Sequence, residues 1–176
     1  MNTGELNCIL ERALRDTGVA FLGVFAADRI PNRITTFPCC FVANTDPARQ
    51  PGAHWVACFC ATPSRVEFFD SYGLPPAAYF SLRLPISPTF VNNVSFQSLR
   101  SSACGHYSIY YLCMRAHGRS PSLIKQCLRR IAQRRCGNAD YLVRNFTARL
   151  VRHLRVVRRC FRDCRGMQCC RLRGSQ

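Results

Sequence analysis

Residues 54–70 read HWVACFCATPSRVEFFD, and the fold turns on how this stretch is paired. Two apolar runs, residues 55–60 and 65–69, flank Ala61-Thr62-Pro63-Ser64, whose residue types favour a turn. Runs of this kind around a short turn signal a β-hairpin. A turn centred on Thr62 sets His54 opposite Asp70 at the open end, on one face of the sheet. A slip of one residue would place them on opposite faces. An imidazole beside a carboxylate is the base-and-orienter pair that nucleophilic catalysis requires.

N-terminal to the hairpin, residues 36–43 (TFPCCFVA) predict a buried strand, ended by the turn-rich Asn44-Thr45-Asp46-Pro47. Residues 19–25 form a short apolar run, a strand or the approach to one, and Asp28 to Pro31 breaks the pattern. Leu6, Ile9, Leu10 and Leu14 recur at helical spacing over residues 5–15. On the other side, residues 71–76 predict a loop. Pro85 and Pro88 argue against a long helix in the mixed stretch 79–100, where residues 90–96 fit a strand.

From residue 103 the apolar period changes. Residues 103–116 predict a buried helix with Cys104 in its first turn. Residues 121–135 carry Ile124, Cys127, Leu128 and Ile131 on one face. Residues 140 to about 159 carry Val143, Phe146, Leu150, Leu154 and Val157 on one face and arginines towards the other. The expected class is α+β: a central mixed or antiparallel sheet, holding the His/Asp hairpin, packed on helices. Residues 1–160 form one domain. Residues 161–176 form a basic, cysteine-rich tail whose order the sequence leaves open.

With 176 residues, 48% of them hydrophobic, the chain suffices for one domain with a real core. No apolar run reaches the roughly 18 residues of a membrane span. Charged residues at Glu5, Glu11, Arg12 and Arg15 interrupt what a signal peptide would keep apolar. A soluble protein of a reducing compartment is expected, and its 13 cysteines read as thiols, most of them buried fillers. Charge is distributed unevenly. Residues 1–114 hold eight Arg against seven acids, whereas residues 115–176 hold 16 Arg and one Lys against Asp140 and Asp163. Such a density predicts salt-sensitive, sequence-independent binding of DNA through Arg129, Arg130, Arg134, Arg135, Arg152, Arg155, Arg158, Arg159 and Arg162.

Cys104 is the cysteine that differs in setting. At a helix N-terminus a thiol meets the positive end of the macrodipole and free amide protons, which favour the thiolate. A neighbouring imidazolium would favour it further. Gly105 leaves room for a substrate carbonyl, and Gln97 could join the Cys104 backbone N–H in an oxyanion hole. Each residue alone has a plainer reading as core or strand end; their order His, Asp, Gln, Cys-Gly is the specific signal. His106 stands too near Cys104 to act as its base and reads as structural or cleft-lining, and His117 as a cap or surface residue. Cys160, Cys164, Cys169 and Cys170 lack the paired spacing of common zinc sites, so no metal is expected.

His54-Trp55 before an apolar strand, Asp70 after the next, and Gln97 ahead of Cys104-Gly105 resemble the adenovirus-type cysteine proteases, relatives of the SUMO-specific and other ubiquitin-like-protein proteases. Phe21-Leu22-Gly23, Asp28-Arg29 with Pro31, and Ala43-Asn44-Thr45 extend the likeness, which covers residues 19–116. The resemblance implies Cys104 as nucleophile, His54 as general base and later acid, Asp70 as orienter and Gln97 as oxyanion donor. Trp55 and Gly105 would line a narrow cleft suited to glycine-containing sites. It further implies a monomeric thiol endopeptidase that processes virion precursor proteins in the virion and host nucleus. DNA and a basic activating peptide would be its activators, and the chemistry itself needs no cofactor. Residues 61–103 contain no cysteine to tether such a peptide, although Arg158-Arg159-Cys160-Phe161 is similar to its end. A deubiquitinating or deSUMOylating protease is the alternative among enzymes. A nonenzymatic, DNA-packaging protein is the alternative outside them.

Overall fold

Asn2 starts the first helix: its side chain accepts the Glu5 amide at 2.9 Å while the Glu5 carboxylate accepts the Asn2 amide at 3.0 Å. This reciprocal cap satisfies two N–H groups that a helix leaves free. The computed structural model describes residues 1–79, 81–135 and 138–168, with side chains as far as Arg155. After α1 (Thr3–Leu14) come β1 (Ala20–Phe25), β2 (Cys39–Asn44), β3 (Trp55–Thr62) and β4 (Arg65–Phe69). A 3-10 turn (Pro76–Ala78), β5 (Phe90–Val91), α2 (Cys104–Ala116), α3 (Pro121–Arg134) and α4 (Asp140–Gln168) complete the order.

The class is α+β. The sheet runs β1-β2-β3-β4-β5, with β1 parallel to β2, β4 parallel to β5, and antiparallel pairing between. All of β2 and most of β3 are buried, which is why both read as unbroken apolar runs rather than as alternation. One face, through Cys40, Val42, Ala57, Phe59 and Phe69, packs on Leu6, Leu10, Leu14, Ile109, Leu112 and Leu128 of the helices. The other, through Phe41, Val56, Cys58 and Phe68, is covered by Ala27, Ile30 and Leu82 of the connecting segments.

Three expectations are corrected. The hairpin register differs: Phe69 faces Ala57, and Thr62 faces Arg65 after an irregularity beyond Cys60. The turn therefore falls on Pro63-Ser64, where proline's fixed φ suits the first turn position, and Thr62 belongs to the strand. His54 and Asp70 are displaced along the hairpin from direct opposition. An even shift keeps them on one face. β5 ends at Val91 rather than near Phe96, and the Asn92 side chain takes over the link to the end of β4. Its carboxamide accepts the Asp70 amide at 2.8 Å and donates to the Asp70 carbonyl at 2.6 Å. Finally, α4 runs past the end expected near residue 159 to Gln168. Residues 169–176, with Cys169 and Cys170, lie outside the described residues, as do the side chains of Cys160 and Cys164.

Among the described residues no helix is long and apolar enough to cross a membrane. Five of the eight described cysteines, Cys39, Cys40, Cys58, Cys60 and Cys113, are buried, and all eight are free thiols. Burial pushes the Cys113 thiol up to about 12 and raises those of Cys40 and Cys58 as well. These are apolar fillers that resist ionisation.

Candidate active site

His54 immediately precedes β3 and Asp70 immediately follows β4, so both stand at the open end of the hairpin. The Thr45 amide donates to the His54 carbonyl at 2.9 Å, which extends the ladder and fixes the histidine backbone. His54 Nε2 meets Asp70 Oδ1 at 2.5 Å. The two side chains are 7% and 0% exposed, so water does little to screen the pair. Asp70 accepts three further hydrogen bonds: from the Tyr72 amide at 3.1 Å, the Leu74 amide at 2.8 Å and the Tyr79 hydroxyl at 2.9 Å. Burial works against its charge, but the His54 hydrogen bond and charge, with the Leu74 and Tyr72 amides, hold the carboxyl below the ordinary carboxylate range. The loop that delivers these amides turns at Gly73, whose φ is +76° and whose Cβ position lies 2.6 Å from the Val94 backbone. Only glycine fits there.

Cys104 is the first residue of α2, and Ala103 precedes the helix. With Nε2 committed to Asp70, the other imidazole nitrogen is left for the thiol. Burial would raise the Cys104 pKa. The hydrogen bond with His54, the Trp55 amide, the His54 charge and the Gly105 amide outweigh it, and the thiol lies below its ordinary value. For His54, burial disfavours the imidazolium, yet hydrogen bonds to Asp70 and Cys104 and their charges hold its pKa up at about 9. The two shifts are opposite in direction, one acid strengthened and the other weakened. Together they favour a thiolate–imidazolium pair, a nucleophile and a proton donor side by side.

Gln97 adjoins this group. Its Oε1 accepts from Ser71 Oγ at 2.7 Å, and its Nε2 donates to the Ser101 carbonyl at 2.7 Å and to the Tyr72 hydroxyl at 3.1 Å. Tyr72 in turn stacks on the His54 ring, with centroids 4.7 Å apart at 28°, and Tyr79 lies 5.9 Å from it. Sequence reasoning does not single out Ser71, Tyr72, Tyr79 or Asn92. They lie in or beside irregular segments, where no periodicity marks a side chain's direction. For Ser71, Tyr72 and Tyr79 the one available signal is closeness in the chain to Asp70; Asn92, 22 residues away, offers none.

Four further residues meet different fates. Trp55 is half-buried, packs against the helix-side core, and turns its backbone N–H to the Cys104 sulfur. Gly105 is corrected: it is buried, and a Cβ there would meet Met1 Sδ at 3.2 Å and Leu6 Cδ2 at 3.5 Å. The glycine admits α1 against α2 instead of opening space for a substrate. His106 Nδ1 is buried with no hydrogen-bond partner among the described residues, and burial together with the charge of Arg144 lowers its pKa. His117 Nδ1 lies 2.8 Å from the Cys113 carbonyl at the end of α2, the capping role expected.

Arg129, Arg130, Arg134, Arg135, Arg152 and Arg155 are exposed on α3, just beyond its end, and on α4. The Arg135 guanidinium lies over the Tyr141 ring at 4.8 Å. The side chains of Arg158, Arg159 and Arg162 lie outside the described residues. Among the described residues no group of three or more His, Cys, Asp or Glu side chains is arranged to hold a metal ion.

No protein-family model matches the chain, and no curated protein does. Among solved structures it is similar to the central domain of the uncharacterized Lpg1148 protein from Legionella pneumophila. That similarity has 16% identity and a TM-score of 0.43, over 78% of this chain and 89% of the other.

Proposed function

We propose that the chain is a cysteine endopeptidase in which Cys104 is the nucleophile, His54 the acid and base, and Asp70 the orienter. The observation that carries this reading is the buried His54–Asp70 contact of 2.5 Å beside a thiol whose pKa is lowered despite its burial. In the reaction the Cys104 thiolate attacks the scissile carbonyl and the His54 imidazolium protonates the departing amine. Water, deprotonated by His54, then releases the acyl group. Asp70 holds the imidazole so that its free nitrogen faces the sulfur. The resemblance seen in the sequence adds the substrate class, virion precursor proteins cut at glycine-containing sites, and places the enzyme in the virion and host nucleus.

The exposed arginines of α3 and α4 support DNA as an activating partner, since polyanion attraction needs charge density rather than a shaped site. Replacing Arg129, Arg130, Arg134 and Arg135 by Ala is expected to flatten the log–log salt dependence of duplex binding by about one unit for each arginine that pairs with a phosphate. Fluorescence anisotropy at several salt concentrations measures it. An unchanged slope removes these residues from the interface.

The activity itself is tested with two fluorogenic substrates, a peptide with internal glycines and ubiquitin carrying a C-terminal fluorogenic amide, each with and without duplex DNA. Cleavage of the peptide that is lost in Cys104→Ala supports the endopeptidase. Preference for the ubiquitin substrate would move the chain to the deubiquitinating class. Cleavage of neither, with DNA still bound, would favour a nonenzymatic DNA-packaging protein.

A further inference from the structure

The protons around Gln97 can be counted. The Ser101 carbonyl, 2.7 Å away, can only accept, so it fixes the carboxamide with Nε2 on that side. Nε2 carries two protons. One goes to Ser101 and the other to the Tyr72 hydroxyl at 3.1 Å. Both side-chain N–H groups of Gln97 are thus engaged within the protein. The Tyr72 oxygen accepts this bond, and its own proton has no acceptor among the described residues. The Tyr72 ring is held face to face with His54, at 4.7 Å between centroids, and His54 is hydrogen-bonded to Cys104. The phenol thus stands between the imidazole and the segment that leads from Gln97 to Cys104. Burial, with the negative charges of Cys104 and Asp70, raises its pKa and keeps it a proton donor.

We propose that the Tyr72 hydroxyl is the side-chain donor to the oxyanion formed at Cys104, with Gln97 behind it as the residue that aims and polarises it. This rests on Cys104 being the nucleophile. When the thiolate sulfur bonds to a carbonyl carbon, the C=O π pair moves onto oxygen. The Tyr72 O–H and the Cys104 backbone N–H then donate hydrogen bonds to that oxygen without transferring protons. Collapse restores the C=O bond and expels the leaving group. A hydrogen bond received from Gln97 makes the phenol a stronger donor, because linked hydrogen bonds polarise one another.

Two reagents isolate this role. p-Nitrophenyl acetate acylates Cys104 through a tetrahedral oxyanion and releases p-nitrophenolate. Iodoacetamide alkylates the same sulfur by direct displacement of iodide, with no oxyanion. Rate constants for both are measured at neutral pH, with modification mapped to Cys104 and exposed Cys8 as internal reference. Tyr72→Phe is expected to slow acylation about 10- to 100-fold, as loss of one oxyanion donor does. Its alkylation rate should stay within about twofold of the parent, since the stacked ring remains. That unchanged alkylation also reports that the variant is folded.

If Tyr72→Phe acylates as fast as the parent or faster, the N–H released from Gln97 serves the oxyanion and the proposal is overturned. A parallel fall in both rates overturns it too, by placing the effect on the His54–Cys104 pair. If Cys104 of the parent outpaces Cys8 with neither reagent, the nucleophile reading fails, and the proposal with it.

Discussion

His54→Ala is expected to slow alkylation of Cys104 by limiting iodoacetamide at pH 6 by about tenfold. An ordinary thiol is only about 0.3% thiolate at that pH. In the folded protein His54 and the amides of Trp55 and Gly105 hold Cys104 below its ordinary pKa, so the reactive fraction is far larger. A thiolate of lower basicity is intrinsically less nucleophilic, which offsets part of the gain. The pH profile carries the signs separately. A lowered thiol pKa extends the thiolate to lower pH, and the His54 pKa of about 9 extends the imidazolium to higher pH. The ion pair exists between the two limits. Parent Cys104 should therefore react at a nearly level rate across neutral pH and change again near pH 9 as His54 loses its proton. The variant should show a single rise in the ordinary thiol range. Site-mapped mass spectrometry with Cys8 as reference checks both. A parent Cys104 that reacts no faster than Cys8 at pH 6 would mean that the pair does not form.

The residues that form this pair are legible in the sequence because strand and helix patterns locate their own ends. His54 and Asp70 stand just outside two apolar runs, and Cys104 opens a third with a different period, so each lies where an element delivers its side chain. The register is legible only to within the turn, since an irregularity after Cys60 shifts it without changing any apolar pattern. Spacing points to Gln97, but not to what its amide bonds. Tyr72 is fixed by a local bond to the Asp70 carboxylate, while Tyr79 and Asn92 act from loops held by hydrogen bonds to Asp70 from 9 and 22 residues away, which no local pattern encodes. The cover on the second sheet face, from Ala27, Ile30 and Leu82, is hidden for the same reason. Gly105 shows the reverse error. A glycine beside a candidate nucleophile invites a substrate reading, whereas here it is the contact point of two helices.

Arg115→Ala is expected to destabilise the fold by about 3–5 kcal/mol, a loss typical of stranding a buried charge. Glu67 occupies the middle of β4, where alternation turns its side chain to the helix face together with Phe69. It is 3% exposed there. Arg115 meets it with a two-pronged pair, Nε to Oε2 at 2.6 Å and Nη2 to Oε1 at 2.8 Å, and the Tyr111 hydroxyl adds a bond at 2.8 Å. The guanidinium lies over Phe59 at 4.5 Å and its third nitrogen reaches the Arg119 carbonyl at 2.5 Å. Each polar group is satisfied within an otherwise apolar layer, so removing the cation alone leaves a carboxylate whose water cannot return. The link also has a geometric role. Its acid is on the strand that ends before Asp70 and its base is on the helix that begins at Cys104. The clamp therefore ties together the two elements whose ends must meet. Urea unfolding at neutral pH should show a lower midpoint for Arg115→Ala, with much of the loss recovered by Glu67→Leu/Arg115→Met, since an apolar pair of similar volume needs no partner charge. Recovered stability with Cys104 alkylated more slowly than in the parent would separate the two roles, showing that the ion pair sets the approach of the thiol beyond holding the layers together. A loss below about 1 kcal/mol in the single variant would instead mean that water reaches Glu67 and the clamp is no more than a surface pair.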